Sequence, residues 1–90
     1  MAGLAAYSAA KAGVLALTHA LAAEEKANAV RANAIAPGMV DTAQNRAELD
    51  DDHARYVSRD DVASVALFLA GPDSRGVTGE MIRVLAASPR

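Results

Sequence analysis

Between Ala5 and Ala27 the chain carries no proline and is dominated by alanine and leucine. A run of strong helix formers this long has one stable outcome, an α-helix of several turns. Val14, Leu17 and Leu21 recur three and four residues apart with Thr18 beside them, which predicts a single buried stripe along that helix. Glu24, Glu25 and Lys26 mark a solvated end, and Asn28 suits a left-handed stop.

The pattern after this helix has period two and then returns to a helical period. Val30 to Ala36 reads as a short strand, with Val30, Ala32 and Ala34 on one face and Arg31, Asn33 and Ile35 on the other. Pro37-Gly38 ends it. Residues 41 to 57 are polar and acidic, include Asp50-Asp51-Asp52, and read as a loop or an irregular helical lid. Ser58-Arg59-Asp60-Asp61 forms a capping box. Val62, Val65, Ala66 and Leu69 follow at i, i+3, i+4 and i+7, the mark of an amphipathic helix. Gly71-Pro72 stops it. After a turn-rich stretch over 72–79, Glu80 to Leu85 alternates as a final strand, and 86–90 is a tail expected to fray. A strand, a helix and a strand in this order suit a parallel βαβ unit, whose crossover is right-handed. In open parallel sheets ligands sit beyond the carboxyl ends of strands, and Pro37-Gly38 lies at such an end.

Ninety residues make one domain at most. Much of the 52% hydrophobic content is alanine, and the aromatic residues are Tyr7, Tyr56 and Phe68. Burial energy scales with apolar area, so the core is thin and a partner surface is expected. Phe68 is expected in that core. A net charge of −2 with mixed signs gives no reason to expect nucleic acid or an anionic membrane as partner. No cysteine is present, which excludes disulfides and thiolate metal sites, and a reducing cytoplasm is the simplest setting. No uninterrupted apolar run has the length of a membrane span, since Lys11 breaks the N-terminal one.

Tyr7 and Lys11 stand four apart and share one helix face. A phenol in water holds its proton up to about pH 10, and a neighbouring ammonium favours the phenolate. A tyrosine tuned in this way can pass a proton to or from a carbonyl oxygen or an alcohol. Taken alone, the pair is better accounted for as two partly exposed helix residues with no chemistry. His19 lies too far along the helix to join Tyr7 and reads as a surface or interface residue. His53, beside Asp50-Asp51-Asp52, lacks metal-ligand spacing, so a solvated acidic loop is expected there and no metal. Tyr56 is open to two readings, local packing or a substrate contact from the lid.

The linked motifs carry more than either residue. Tyr7-Ser8-Ala9-Ala10-Lys11-Ala12-Gly13-Val14 resembles the catalytic helix of the short-chain dehydrogenases/reductases. Val30 to Thr42, with Asn33-Ala34-Ile35-Ala36-Pro37-Gly38-Met39-Val40-Asp41-Thr42, resembles their next strand and its Pro-Gly-x-Val-x-Thr cofactor loop. Arg59-Asp60-Asp61-Val62-Ala63, Leu67-Phe68-Leu69-Ala70 and Val77-Thr78-Gly79-Glu80 match later family patterns in order, so the resemblance runs from Gly3 to Val84. It implies an α/β fold, the C-terminal half of a Rossmann-like doubly wound parallel sheet. Residues 1–90 would then be a single partial domain built as long helix, strand, lid, helix and strand, with 43–57 as the substrate loop. It implies Tyr7 as general acid/base, with Lys11 favouring its ionised form and binding the nicotinamide ribose hydroxyls of NAD or NADP. It also implies that Pro37, Gly38, Met39, Val40 and Thr42 line the nicotinamide. Asn33 is expected to serve strand and turn geometry.

The departures from that family are equally specific. No Gly-x-Gly-x-x-Gly or Gly-x-x-x-Gly-x-Gly occurs, and the serine that orients the substrate oxygen would fall ahead of Met1. Ser8 cannot replace it, because neighbouring helix residues point about 100° apart. Leu85-Ala86-Ala87 stands where the family carries Asp-Gly-Gly. The 90 residues alone are therefore expected to be inactive toward a small carbonyl or alcohol substrate. Three settings remain open: a fragment of a longer oxidoreductase, a half that pairs with a separate N-terminal half chain, or a non-catalytic oligomerisation module. An unpaired edge on the first strand predicts self-association as a homo-oligomer.

Overall fold

The structure, a computed structural model, describes residues 4–38, 40–48 and 56–86. In chain order these form helix α1 (Leu4–Glu24), strand β1 (Ala34–Pro37), helix α2 (Ala43–Glu48), helix α3 (Arg59–Ala70) and strand β2 (Met81–Val84), with short 3₁₀ turns at Lys26–Asn28 and Pro72–Ser74. The strands pair as a two-stranded sheet. Ala34 N–H donates to Glu80 O at 2.8 Å and Gly38 N–H to Val84 O at 3.0 Å. The offset is the same at both ends, so the strands run parallel, as a strand–helix–strand order requires. The chain folds as two compact units, one from α1 to Ala34 plus Arg75–Met81, the other from Ile35 to Ser74 plus the chain from Ile82.

In the first unit α1 follows the expected span, but its covered face differs. Val14, Leu17 and Leu21 are 52%, 59% and 39% exposed. The covered stripe runs through Leu15, Thr18, Ala22 and Glu25, with Thr18 and Ala22 buried. The reason is close approach. A Cβ built on Gly79 would lie 3.4 Å from Ala22 Cβ, so the 77–80 turn meets α1 at its smallest side chain. Large residues do not fit at that distance and are left on the other faces. Thr18 keeps its hydroxyl satisfied by donating to Val14 O at 2.7 Å. By length and composition alone α1 could cross a membrane, contrary to the expectation from run lengths. Its covered stripe, centred on Thr18 and Ala22, lies against the 77–80 turn.

The stop also differs in detail. Ala29, not Asn28, takes the left-handed conformation, with φ 58°. Asn28 Nδ2 instead donates to Glu25 Oε2 at 3.0 Å, and Ala29 N–H donates to Lys26 O at 3.1 Å.

β1 begins four residues later than alternation suggests. Residues 31–33 do face 77–80, but through side chains. Asn33 Nδ2 donates to Val77 O at 2.9 Å, and Asn33 Oδ1 accepts from Glu80 N–H at 3.0 Å. Arg31 Nη1 donates to Val77 O at 3.2 Å, and Ala32 N–H donates to Thr78 Oγ1 at 3.2 Å. Gly79, at φ 76°, bends the partner strand out of extended geometry, and its N–H reaches Ala32 O at 2.7 Å. A regular ladder can start only beyond that bend. Asn33 thus serves turn geometry, as expected.

In the second unit the core is Tyr56, Val57, Ser74 and Val84. Ser58 caps α3, its Oγ accepting from Asp60 N–H at 3.0 Å and Asp61 N–H at 3.3 Å. Gly71 ends α3 in extended geometry, its N–H donating to Phe68 O at 3.2 Å. The fully buried Ser74 turns its single hydroxyl proton toward both Leu69 O and Gly71 O. Val62, Val65 and Leu69 are half-buried on one face of α3. Phe68, expected in the core, is 48% exposed, because it lies off that face.

Two stability outcomes follow from the first unit. Replacing Ala29 with glycine removes the Cβ penalty of a left-handed residue and should raise stability by about 1 kcal/mol. Asn33→Ala removes the partner of Glu80 N–H and leaves Val77 O with Arg31 alone, and should lower it by about 1 kcal/mol. Urea midpoints at constant m-value check both.

Candidate functional site

Tyr7 and Lys11 lie on α1 one turn apart, both exposed. Lys11 Nζ sits over the Tyr7 ring, 5.5 Å from its centroid. That is within cation–π range, so the ammonium and the phenol ring are held on one helix face. Ser8, the next residue, points elsewhere around the helix. His19 is also exposed on α1.

The loop after β1 belongs to the second unit. Pro37 is the last residue of β1, and Gly38 N–H extends the ladder to Val84 O. A Cβ on Gly38 would approach Val57 Cγ2 to 3.3 Å and Leu85 Cδ2 to 3.4 Å, so the chain passes close to these two side chains here. Val40 forms an isolated parallel bridge with Val57, and Asp41 N–H donates to Val57 O at 2.7 Å. Thr42 is half-buried and immediately precedes α2, where its carbonyl accepts from Arg46 N–H at 3.0 Å. Met39, expected in the same set, lies outside the described residues, as do residues 49–55 of the 43–57 lid, among them His53 and Asp50-Asp51-Asp52. Tyr56 is 3% exposed, which favours local packing over a lid contact.

A cleft of about 380 Å³ opens beside Thr42, lined by Asp41, Thr42, Arg46, Ser58, Arg59 and Asp60. At its wall Asp41 and Arg46 form a bidentate fork: Arg46 Nε donates to Asp41 Oδ1, and Arg46 Nη2 to Asp41 Oδ2 at 3.0 Å. The hydrogen bond to Asp41, and then its charge, hold the Arg46 guanidinium above its ordinary arginine value. A raised value keeps Arg46 charged at every pH below the arginine range. Its half of the fork is lost only as pH climbs past that range. Sequence reading missed this pair and the cleft. Asp41 precedes the helix, so its five-residue spacing from Arg46 falls outside the three- and four-residue rule for helix pairs. The pairing of an acid before a helix with a base in its first turns was the available signal.

A parallel strand–helix–strand with a loop opening at the strand's carboxyl end, in a chain whose first helix carries a tyrosine–lysine face, is part of a Rossmann-type fold. Residues 1–85 match the family model described as enoyl-(acyl carrier protein) reductase. The 3-oxoacyl-(acyl-carrier-protein) reductase FabG of Vibrio harveyi is 36% identical over 92% of this chain and 38% of that protein. The acetoacetyl-CoA reductase of Allochromatium vinosum is 40% identical over 91% of this chain and 37% of that protein. Among solved structures, a blue fluorescent protein from a metagenomic library in complex with NADPH superposes with a TM-score of 0.78 at 34% identity, covering 89% of this chain and 36% of that one. An oxidoreductase of the short-chain dehydrogenase/reductase family from Burkholderia thailandensis gives 0.77 at 38% identity, covering 88% and 35%. The chain belongs to the short-chain dehydrogenases/reductases, and it spans under two fifths of the length of these relatives.

Proposed function

We propose that this chain is the proton-transfer and nicotinamide-side part of an NAD(P)-dependent oxidoreductase that interconverts a small carbonyl compound and an alcohol. The observation that carries this reading is the Lys11 ammonium over the Tyr7 ring, inside the motif that resembles the family's catalytic helix. Tyr7 Oη gives a proton to the substrate oxygen as a carbonyl is reduced and takes it back in the reverse direction. The ammonium donors of Lys11 suit vicinal ribose hydroxyls.

The donor set fits the nicotinamide end of the cofactor. Tyr7 and Lys11 offer hydroxyl and ammonium groups on an exposed face, and Thr42 offers a hydroxyl at a polar cleft. Pro37, Gly38, Met39 and Val40 would form the loop along the ring. When bound, the cofactor supplies or accepts the hydride. The residues that would cradle its phosphates are not in this sequence, since it contains no glycine-rich phosphate motif. These 90 residues, as one partial domain, therefore do not turn over by themselves. They work with an N-terminal half that supplies the phosphate cradle, in a cytoplasmic and oligomeric enzyme without nucleic-acid or membrane partners.

A second reading is favoured by a specific observation. Leu4, Val14 and Leu17 are large, apolar and about half exposed or more on α1. A non-catalytic module derived from this fold would use them to self-associate.

Two measurements separate these readings. The purified chain should show no NADH or NADPH oxidation across a panel of carbonyl compounds, and adding a family N-terminal half should restore it. Tyr7→Phe should then cut kcat by about 100-fold or more while cofactor affinity changes little. Lys11→Met should weaken both. Turnover by the chain alone, or full activity of Tyr7→Phe, overturns the first reading. Self-association with no reconstitution supports the second.

A further inference from the structure

The Asp41–Thr42 pair is held at three points, one through the Thr42 carbonyl and two through Asp41. The Thr42 carbonyl accepts the Arg46 backbone N–H at 3.0 Å. The preceding residue, Asp41, holds the Arg46 side chain through two charge-assisted bonds in one plane. The third tie is Asp41 N–H to Val57 O at 2.7 Å, next to the Val40–Val57 bridge. Arg46 therefore closes a ring around residues 42–45 with its main chain and its side chain together.

That ring is also the start of α2, which has only six residues. Isolated helices need roughly 12–15 residues to persist in water. α2 carries no acidic residue in its own first turn. Asp41, one residue further out, is the carboxylate that bonds Arg46. The fork thus supports both the start of the helix and the placement of Thr42. Bidentate Arg–carboxylate geometry fixes direction as well as distance, so it constrains the loop more than a single contact would. Both side chains are partly exposed, at 51% for Arg46 and 36% for Asp41, so salt should weaken the pair.

We propose that the Asp41–Arg46 fork is a positioning device: it builds the first turn of α2, holds Thr42 at the cleft, and so sets affinity for the nicotinamide cofactor without taking part in proton transfer. The cofactor half of this statement rests on the function proposed above; the structural half does not.

The test uses NMR hydrogen exchange on the full 90-residue chain, read at the Arg46 side-chain Nε–H and backbone N–H. Asp41→Asn and Arg46→Gln should each speed Arg46 backbone exchange about threefold to fivefold. The double variant should add little to either single one. The charge swap Asp41→Arg with Arg46→Asp should restore much of the loss. Val62 N–H, bonded to Ser58 O in α3, should keep its rate and so report that the fold survives. Raising salt from low to molar concentration should reproduce part of the single-variant effect in the unmodified chain. If either single variant unfolds the chain, the other and the swap decide. Unchanged Arg46 exchange in the single variants, or a swap that rescues nothing, overturns the proposal.

The cofactor half is read with an N-terminal half supplied and NADPH and NADH as the titrated probes. Asp41→Asn should raise the cofactor KM about threefold to fivefold at constant kcat, and Thr42→Val should raise it through the same contact. A fall in kcat at constant KM overturns the positioning role. If the unmodified reconstituted pair binds neither nucleotide, the functional reading fails while the exchange data still judge the fork.

Discussion

The first unit depends on one constraint, the nearness of the Val77–Glu80 turn to α1. Gly79 brings backbone to within van der Waals range of Ala22. That distance selects the small face of α1 for burial and turns its large residues away. It also places Val77 O and Glu80 N–H where the Asn33 amide can satisfy both, one group acting as acceptor and donor across a bend. Tyr7 and Lys11 then stand on an exposed part of the same helix. The exposure of Tyr7 and Lys11 is thus what remains once alanine and glycine have taken the packing contact.

The second unit solves a related problem with a small apolar core and one buried hydroxyl. Tyr56, Val57, Ser74 and Val84 are its buried residues, and Ser74 closes the end of α3 with its hydroxyl. Ser58 closes the other end. A twelve-residue helix capped at both ends by serine hydroxyls needs less apolar area to persist. This suits a chain in which alanine supplies so much of the hydrophobic content.

Element order and type were legible in the sequence because each boundary carries a chemical mark. Proline-free alanine and leucine define α1, Ser58 opens α3, Gly71-Pro72 closes it, and Pro37-Gly38 ends β1. Phase and register were less legible. The spacing of Val14, Leu17 and Leu21 does describe a stripe, but which stripe is covered depends on the partner, and a glycine turn takes alanine rather than leucine. The left-handed residue fell on Ala29, since backbone closure over Lys26–Asn28 set its place and Asn28 was engaged with Glu25. The start of β1 was hidden because Asn33 and Thr78 stand in for peptide groups there. Of the site, Tyr7 and Lys11 could be read from the four-residue period, and the Pro-Gly loop from its family pattern. The Asp41–Arg46 fork could not, because it spans a helix boundary.

The bridge between Val40 and Val57 has a consequence for how such a protein diversifies. It pins both ends of the intervening segment to each other, so that segment is a closed excursion from the scaffold. Lengthening a loop whose ends are already joined adds only about 0.6 kcal/mol for each doubling. Insertions or deletions there leave the pairing of β1 with β2 undisturbed, so this stretch can change length at little cost to the sheet.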